Sequence, residues 1–122
     1  MESNPHEVSF DNVWGEKSDE LLDEITGLWS EAGVNTGNQP PIERAKQALL
    51  VARKDGKIVA ISTAFTSHVA NMKSNFFMFR AMTHPDFRIP GLLEMITSQS
   101  IEYLESIYQE TVPYCIGVMA AL

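Results

Sequence analysis

The chain has 122 residues, of which 44% are hydrophobic and 20% charged, a composition typical of one ordinary globular domain. Its formal net charge of -7 argues against a nucleic-acid-binding protein, which needs a basic face, and against binding to anionic membranes. We expect no signal peptide and no membrane-spanning segment, because no apolar run has the required length. The single cysteine, Cys115, excludes an internal disulfide and favours the cytoplasm.

The first part of the sequence predicts one strand and two helices. Alternation of Val8 and Phe10 indicates the strand. Ser18 is a suitable N-cap for a long helix whose apolar residues recur at helical spacing, and Gly33 would end that helix. A connector rich in Asn, Gly and Pro follows, and a second, shorter helix is expected from about Pro41 to Leu49.

A hairpin is the clearest local signal in the middle of the chain. Two runs rich in β-forming residues, 50–53 and 58–65, flank Asp55-Gly56, a dipeptide that favours a tight hairpin turn. We expect a polar link over 67–74, with His68 in a loop, and then an aromatic strand over 75–83. These strands predict a three-stranded antiparallel meander.

A long helix and a last strand complete the predicted order. Apolar residues at helical spacing predict the helix from about Pro90 to Gln109, with proline in its first turn. The apolar run 114–119 predicts a strand parallel to the one before the helix, as expected for a β-α-β unit. The predicted fold class is α/β (α+β), with a mixed, mainly antiparallel sheet, helices on both faces and the order β-α-α-β-β-β-α-β.

The junction between the aromatic strand and the long helix has a recognisable sequence, Met82-Thr83-His84-Pro85-Asp86-Phe87-Arg88-Ile89-Pro90-Gly91-Leu92-Leu93. A strand that runs into a helix N-terminus presents unpaired N–H groups to a phosphate. This stretch resembles the acetyl-coenzyme A signature of the GCN5-related N-acetyltransferases (GNAT). Arg88 and Gly91 stand at matching positions, whereas Leu93 replaces a small residue and Pro90 removes one amide.

The predicted element order is also similar to that of the GNAT superfamily, whose fold is the acyl-CoA N-acyltransferase fold. The resemblance covers about residues 8–119 and ends at the family's fifth strand. Family members continue with a further helix and more strands. The resemblance therefore implies a single acetyltransferase-like domain over 1–122 that is truncated after the fifth strand, and a homodimer in which a second copy completes the sheet.

The resemblance implies an N-acetyltransferase that uses acetyl-CoA as co-substrate, without a metal. The acetyl group would pass by direct attack of a small-molecule or peptide amine. An alternative within the same fold is a catalytically degenerate module that binds coenzyme A or another protein, and a small interaction domain without a ligand is also open. The residues that the resemblance places at coenzyme A are Met82, Thr83, Arg88, Ile89, Gly91, Leu92 and Leu93.

Several residues are candidates for the proton transfers of this reaction. Amine acetylation needs a general base for the ammonium form and a general acid for the leaving thiolate. Glu31, Glu43, His68 and His84 are candidates for the base, and Tyr114 is a candidate for the acid. The three histidines of the chain are scattered without metal-ligand spacing, which argues against a metal site.

Overall fold

A computed structural model describes residues 8–34, 37, 39–70, 73–87, 89–107 and 115–120, with only the backbone of Val69 and of 115–120. Its element order is the predicted one. Within these ranges, no helix combines the length and apolarity needed to cross a bilayer. The elements are β1 (Ser9–Asn12), α1 (Asp19–Ala32), α2 (Pro41–Ala45), β2 (Ala48–Lys54), β3 (Lys57–Val69), β4 (Ser74–Thr83), α3 (Leu92–Ile107) and β5 (Cys115–Ala120).

The five strands form one sheet in chain order, from β1 at one edge to β5 at the other. Neighbours from β1 to β4 are antiparallel, whereas β5 runs parallel to β4. The change of direction follows from the connections, because a crossover helix, α3, joins β4 to β5. The predicted fold class, including the parallel last strand, is confirmed.

Each face of the sheet is covered by helices, and successive β4 residues point to opposite faces. Phe77 and Phe79 pack with Leu92 and Ile96 on the α3 face. Met82 packs on the opposite face with the core under α1. The residues that form this α1 core are Leu22, Ile25, Leu28, Trp29, Ala45, Ala48, Val51, Ile58 and Ile61.

Helix α1 begins and ends where its local sequence predicts. The Ser18 side chain accepts a hydrogen bond of 3.1 Å from the Leu21 N–H, which satisfies one of the free amides of the first turn. Gly33 ends the helix with φ 72°, in the left-handed region that glycine adopts at low cost. Glu24 holds the helix against β2, because its carboxylate lies 2.6 Å from a guanidinium nitrogen of Arg53.

The second helix is shorter than predicted. It ends at Ala45, and Ala48 and Leu49 belong to β2 instead. The reason is tertiary: the Gln47 carbonyl accepts a hydrogen bond from the Ala64 N–H, and Ala48 already pairs with Thr63 of β3. Strand pairing of buried residues prevails here over a helical pattern.

The predicted polar link over 67–74 is also wrong in extent. β3 continues to Val69 and β4 begins at Ser74, with His68 opposite Asn75. A polar segment can remain a strand when its neighbour supplies the backbone hydrogen bonds and half of its side chains face solvent. His68 therefore lies in a strand rather than in a loop, exposed and 3.2 Å from the Asn75 side-chain oxygen.

Helix α3 begins at Leu92 and not at Pro90. Pro90 and Gly91 form the turn before the helix, and Gly91 has φ 79°. A side chain would strain the backbone at this φ, which explains the glycine. The Gly91 carbonyl then accepts the first hydrogen bond of the helix, from the Met95 N–H at 3.0 Å. The predicted end at Gln109 lies outside the described residues.

A buried polar contact connects α3 to the sheet. The hydroxyl oxygens of Ser62 on β3 and Ser100 on α3 are 2.8 Å apart, and both residues are fully buried. The Ser62 oxygen also accepts the Leu50 N–H at 3.1 Å, beside a register shift in β2. The pair thus satisfies a backbone donor that the irregular β2–β3 pairing leaves without a strand partner.

Candidate functional site

Among the described strands, β4 has a neighbour on both sides only along its first part. β5 pairs with it from Asn75 to Phe79, whereas β3 pairs with it as far as Thr83. In the part of the chain that the structure describes, residues 80–83 have no strand on the β5 side. We call 75–79 the paired half of β4 and 80–83 the open half.

The hydrogen bond of the next residue shows which backbone groups of the open half are accessible. The His84 N–H donates to the Val59 carbonyl of β3 at 2.8 Å. Backbone groups alternate between the two edges of a strand, so those of Met82 also face β3. The N–H and C=O groups of Ala81 and Thr83 therefore point to the open edge, where an extended ligand could pair with them.

A surface cavity of about 420 Å³ continues from the open half towards the start of α3. The cavity extends from the end of β4 to the first turn of the helix, so a long ligand could contact both. The residues that line the cavity are Thr83, His84, Pro85, Phe87, Ile89, Pro90, Leu93 and Glu94.

The first turn of α3 presents backbone donors to this cavity. The Leu92 N–H donates to the Ile89 carbonyl at 3.2 Å, which leaves the N–H groups of Leu93 and Glu94 without an acceptor among the described residues. Such amides, together with the positive end of the helix dipole, attract phosphate. Two side chains act against this: Glu94 brings a carboxylate to the cavity, and Leu93, 45% exposed, takes up space in it.

Two candidate base residues, His84 and Glu31, come together beside the cavity. His84 is 1% exposed, and its Nδ1 accepts the Asp86 N–H at 3.0 Å. In a neutral ring the proton is therefore on Nε2, which lies 3.4 Å from a carboxylate oxygen of Glu31. This contact does not have the geometry of a hydrogen bond, so Nε2 has no hydrogen-bond partner among the described residues. In this arrangement neither ring nitrogen offers a free lone pair.

The same region contains a group of potential metal ligands. Glu31, His84 and Asp86 each offer one atom, and these atoms lie within 4.8 Å of one another. A cation bound to His84 would have to displace either the Asp86 N–H from Nδ1 or the proton from Nε2. The Lys57 ammonium already lies 3.6 Å from Glu31. The contacts therefore fit a protonated Nε2 facing a carboxylate better than a metal, and the absence of a metal stays a prediction.

Comparison of the whole chain with solved structures gives consistent matches. A GNAT family acetyltransferase from Staphylococcus aureus aligns with TM-score 0.62 and 17% identity over 95% of this chain and 87% of its own. A GNAT family acetyltransferase from Brucella melitensis in complex with acetyl-CoA aligns with TM-score 0.61 and 18% identity over 83% and 70%. A predicted acetyltransferase with acetyl-CoA from Clostridium acetobutylicum gives TM-score 0.60 and 8% identity over 94% and 80%.

This chain has the GNAT fold. No protein-family model matches the sequence, and no curated protein matches it. At these identities the match is one of architecture. The residues that this GNAT fold brings to the open half of β4 therefore decide which chemistry is possible.

The predicted coenzyme A residues fall into different environments in the GNAT fold. Thr83 and Leu93 line the cavity, and Gly91 forms the turn between them. Ile89 and Leu92 are 7% and 1% exposed in the α3 core, so only their backbone could contact a ligand. Met82 has its side chain in the α1 core. Arg88 lies outside the described residues, as does Tyr114.

The other candidate bases lie elsewhere. His68 is opposite Asn75, eight positions before Thr83, which is about 26 Å of strand. Glu43 is an exposed residue of α2 that pairs with Lys46 at 3.2 Å. The structure thus brings together Glu31 and His84 from the candidate set, and not His68.

Sequence reasoning missed Ala81 and Glu94. Ala81 is important for its backbone, and only the strand pairing shows that its amide faces the open edge. Glu94 could have been recognised, because it lies three residues after Gly91 in the predicted first turn of the helix. The α3 N-terminus is the place where a carboxylate would compete with phosphate.

Proposed function

We propose that this protein is an acetyl-CoA-dependent N-acetyltransferase, which transfers acetyl to an amine by direct attack. The observation that carries the proposal is the continuity of the open half of β4, the cavity and the uncapped first turn of α3. The GNAT fold supports it, because solved structures with this fold include acetyltransferases in complex with acetyl-CoA.

Each part of the site suits one part of acetyl-CoA. The amides of the pantetheine arm would pair with the open edge at Ala81 and Thr83, as an added strand does. The pyrophosphate would lie on the N–H groups of Leu93 and Glu94, with Arg88 as a further predicted contact. The bound thioester supplies the acetyl group, and an N–H of the open edge would stabilise the developing oxyanion. No protein nucleophile is required, since the amine attacks directly.

A second candidate function is favoured by a specific observation. Glu94 and Leu93 enter the cavity where a phosphate needs space and positive potential. A degenerate member of the fold that binds coenzyme A weakly, or binds another protein, would tolerate both residues. Turnover separates the two candidates, because only the enzyme consumes acetyl-CoA in the presence of an amine.

The first experiment is calorimetric titration of the purified chain with acetyl-CoA. Leu93→Glu adds a negative charge at an exposed helical position and should abolish binding, whereas the neutral control Leu93→Gln should retain it. Gly91→Glu should also abolish binding, although it strains the positive φ of this turn as well.

The proposal would be supported if the wild-type chain and Leu93→Gln bind acetyl-CoA saturably and the two glutamate variants do not. If the wild-type chain binds acetyl-CoA and Leu93→Glu binds it equally well, the phosphate site lies elsewhere. If the wild-type chain is folded but binds no acetyl-CoA, the enzyme proposal fails.

The proposal also covers the cellular location and the oligomeric state of the protein. We propose a cytoplasmic protein, since it carries a single cysteine, and a dimer in which β5 pairs with a second copy. β5 is the last strand of the sheet, so its outer edge has no partner among the described strands. A sedimentation velocity run that shows only monomer at micromolar concentration would exclude the dimer.

A further inference from the structure

The turn between β4 and α3 is fixed at its first residue, His84. The His84 N–H donates to the Val59 carbonyl at 2.8 Å, which attaches the residue to β3. Its own carbonyl accepts the Phe87 N–H at 3.0 Å, which closes the turn. The backbone of this one residue therefore connects the sheet to the segment that leads into the cavity.

The His84 side chain adds a second connection within the same turn. Its Nδ1 accepts the Asp86 N–H at 3.0 Å. The imidazole also meets the Phe87 ring edge to face, with 5.2 Å between the ring centres. Both His84 and Phe87 line the cavity. The imidazole thus contacts the backbone of the turn and one wall of the cavity at the same time.

The hydrogen bond from Asp86 depends on which ring nitrogen of His84 carries the proton. A neutral imidazole has one donor and one acceptor nitrogen, so Nδ1 can accept only when the proton is on Nε2. In the opposite tautomer two N–H groups would point at each other, and a ring that is 1% exposed has little access to water as a substitute partner. The turn is therefore stable with only one of the two tautomers.

The other end of the ring faces a carboxylate from α1. Glu31, in the last turn of α1, places an oxygen 3.4 Å from Nε2 of His84. A carboxylate attracts a ring N–H and repels a ring lone pair, so it favours the tautomer with the proton on Nε2. Glu31 also lies 3.6 Å from the Lys57 ammonium. Glu31 therefore stabilises the tautomer that the turn requires.

The turn matters for binding because it joins the two parts of the site. The open half of β4 ends at Thr83 and α3 begins at Leu92, and residues 84–87 lead from one towards the other along the cavity. A turn that is not formed in the free protein must be ordered when the ligand binds, and this ordering lowers the affinity. A turn that is already fixed avoids that cost.

We propose that His84 is a positioning residue for acetyl-CoA, and that Glu31 fixes the tautomer in which His84 acts. The inference rests on the proposed function, since it assigns the cavity to acetyl-CoA. His84 acts through the Asp86 amide and the Phe87 ring. It takes no part in proton transfer, because Nδ1 accepts the Asp86 N–H and Nε2 already carries the proton.

Two variants of nearly equal shape separate the acceptor from the rest of the ring. His84→Asn and His84→Leu both remove the imidazole. In His84→Asn the side-chain oxygen can accept the Asp86 N–H, as in an Asx turn, and an Asn-Pro sequence favours turn initiation. In His84→Leu the Asp86 amide should exchange with solvent about 3- to 10-fold faster than in His84→Asn, the effect of one lost hydrogen bond.

Calorimetric titration of the same variants with acetyl-CoA tests the positioning role. His84→Asn should bind with nearly the affinity of the wild-type chain, whereas His84→Leu should bind about 3- to 10-fold more weakly, because its turn is ordered only on binding. If the wild-type chain binds and the two variants bind equally well, the positioning role is rejected and the proposed function stands. If the folded wild-type chain does not bind, both are rejected.

The tautomer can be measured without replacing the histidine, which also serves if His84→Leu fails to fold. A long-range proton–nitrogen NMR spectrum should show His84 with Nε2 protonated and Nδ1 unprotonated. Glu31→Gln offers both a donor and an acceptor to Nε2, so it should raise the share of the opposite tautomer and weaken acetyl-CoA binding. Glu43→Gln is the control, since Glu43 is exposed on α2 and pairs with Lys46. A wild-type ring protonated on Nδ1, or a Glu31→Gln variant with unchanged spectrum and affinity, would overturn the proposal.

Discussion

The two halves of β4 differ both in sequence and in their surroundings. In the paired half, Phe77 is fully buried between two neighbouring strands and under α3. In the open half, Arg80 to Thr83 are half-buried and, among the described residues, have a strand on one side only. One continuous strand thus supports the core at its start and leaves backbone groups for a ligand at its end. The difference lies in the range over which β5 pairs with β4.

The largest effect is expected in the paired half. Phe77→Ala should lower the free energy of unfolding by about 3–5 kcal/mol, because it empties the centre of the α3 core and removes the edge contact with the Trp14 ring at 6.0 Å. Urea denaturation measures the loss. Thr83→Ala in the open half is the control and should cost less than about 1 kcal/mol. If both substitutions lower the free energy of unfolding equally, the two halves contribute equally to the core.

A smaller loss of stability is expected behind the open half. Ser62 is the β3 partner of Ala81, and Ser62→Ala leaves the Leu50 N–H and the Ser100 hydroxyl buried without their partner. The expected cost is about 1–3 kcal/mol. If the pair is a single unit, the double variant with Ser100→Ala should lose less than the sum of the single variants. Strict additivity in urea denaturation would contradict a coupled pair.

A gain in ligand binding is expected at the end of the open half. Glu94→Gln removes a negative charge from the cavity and should strengthen acetyl-CoA binding by about 2- to 5-fold, the scale of a charge at a helix terminus. The melting temperature should fall slightly, since Glu94 also complements the dipole of α3. Glu105→Gln, exposed on the same helix away from the cavity, is the control. Unchanged affinity would place the phosphates outside this cavity.

No effect is expected from metals. Nδ1 of His84 accepts the Asp86 N–H, and Nε2 carries the proton of the neutral ring, so neither zinc chloride nor a chelator should shift the melting temperature of the chain. Differential scanning fluorimetry is sufficient for this test. A zinc-dependent stabilisation that Glu31→Gln abolishes would assign a metal site to Glu31, His84 and Asp86 instead.

Local signals in the sequence were sufficient for much of the fold. Ser18 and Gly33 bound α1 by their own chemistry, and Asp55-Gly56 specifies the β2–β3 turn within a few residues. The prediction failed where a distant strand decides the outcome: at the end of α2 and over 67–74, pairing with another strand prevails over the local pattern.

The candidate site was predictable only in part for the same reason. The turn at Gly91 could be found from residue types and spacing. The open edge at Ala81 and the burial of His84 could not, because they depend on the register of β3 and β5 and on the end of α1.

The parallel pairing of β5 with β4 also has a consequence for the order of folding. β2, β3 and β4 follow one another through short turns, so their contacts close small loops and form early. β5 reaches β4 only after α3 has crossed the sheet, and β1 reaches β2 only after α1 and α2, so these two outer pairings close the longest loops and have the highest loop-closure entropy. The boundary between the paired and open halves is therefore set by one of the two late steps of folding. Ligand binding at Arg80–Thr83 would report that this step is complete.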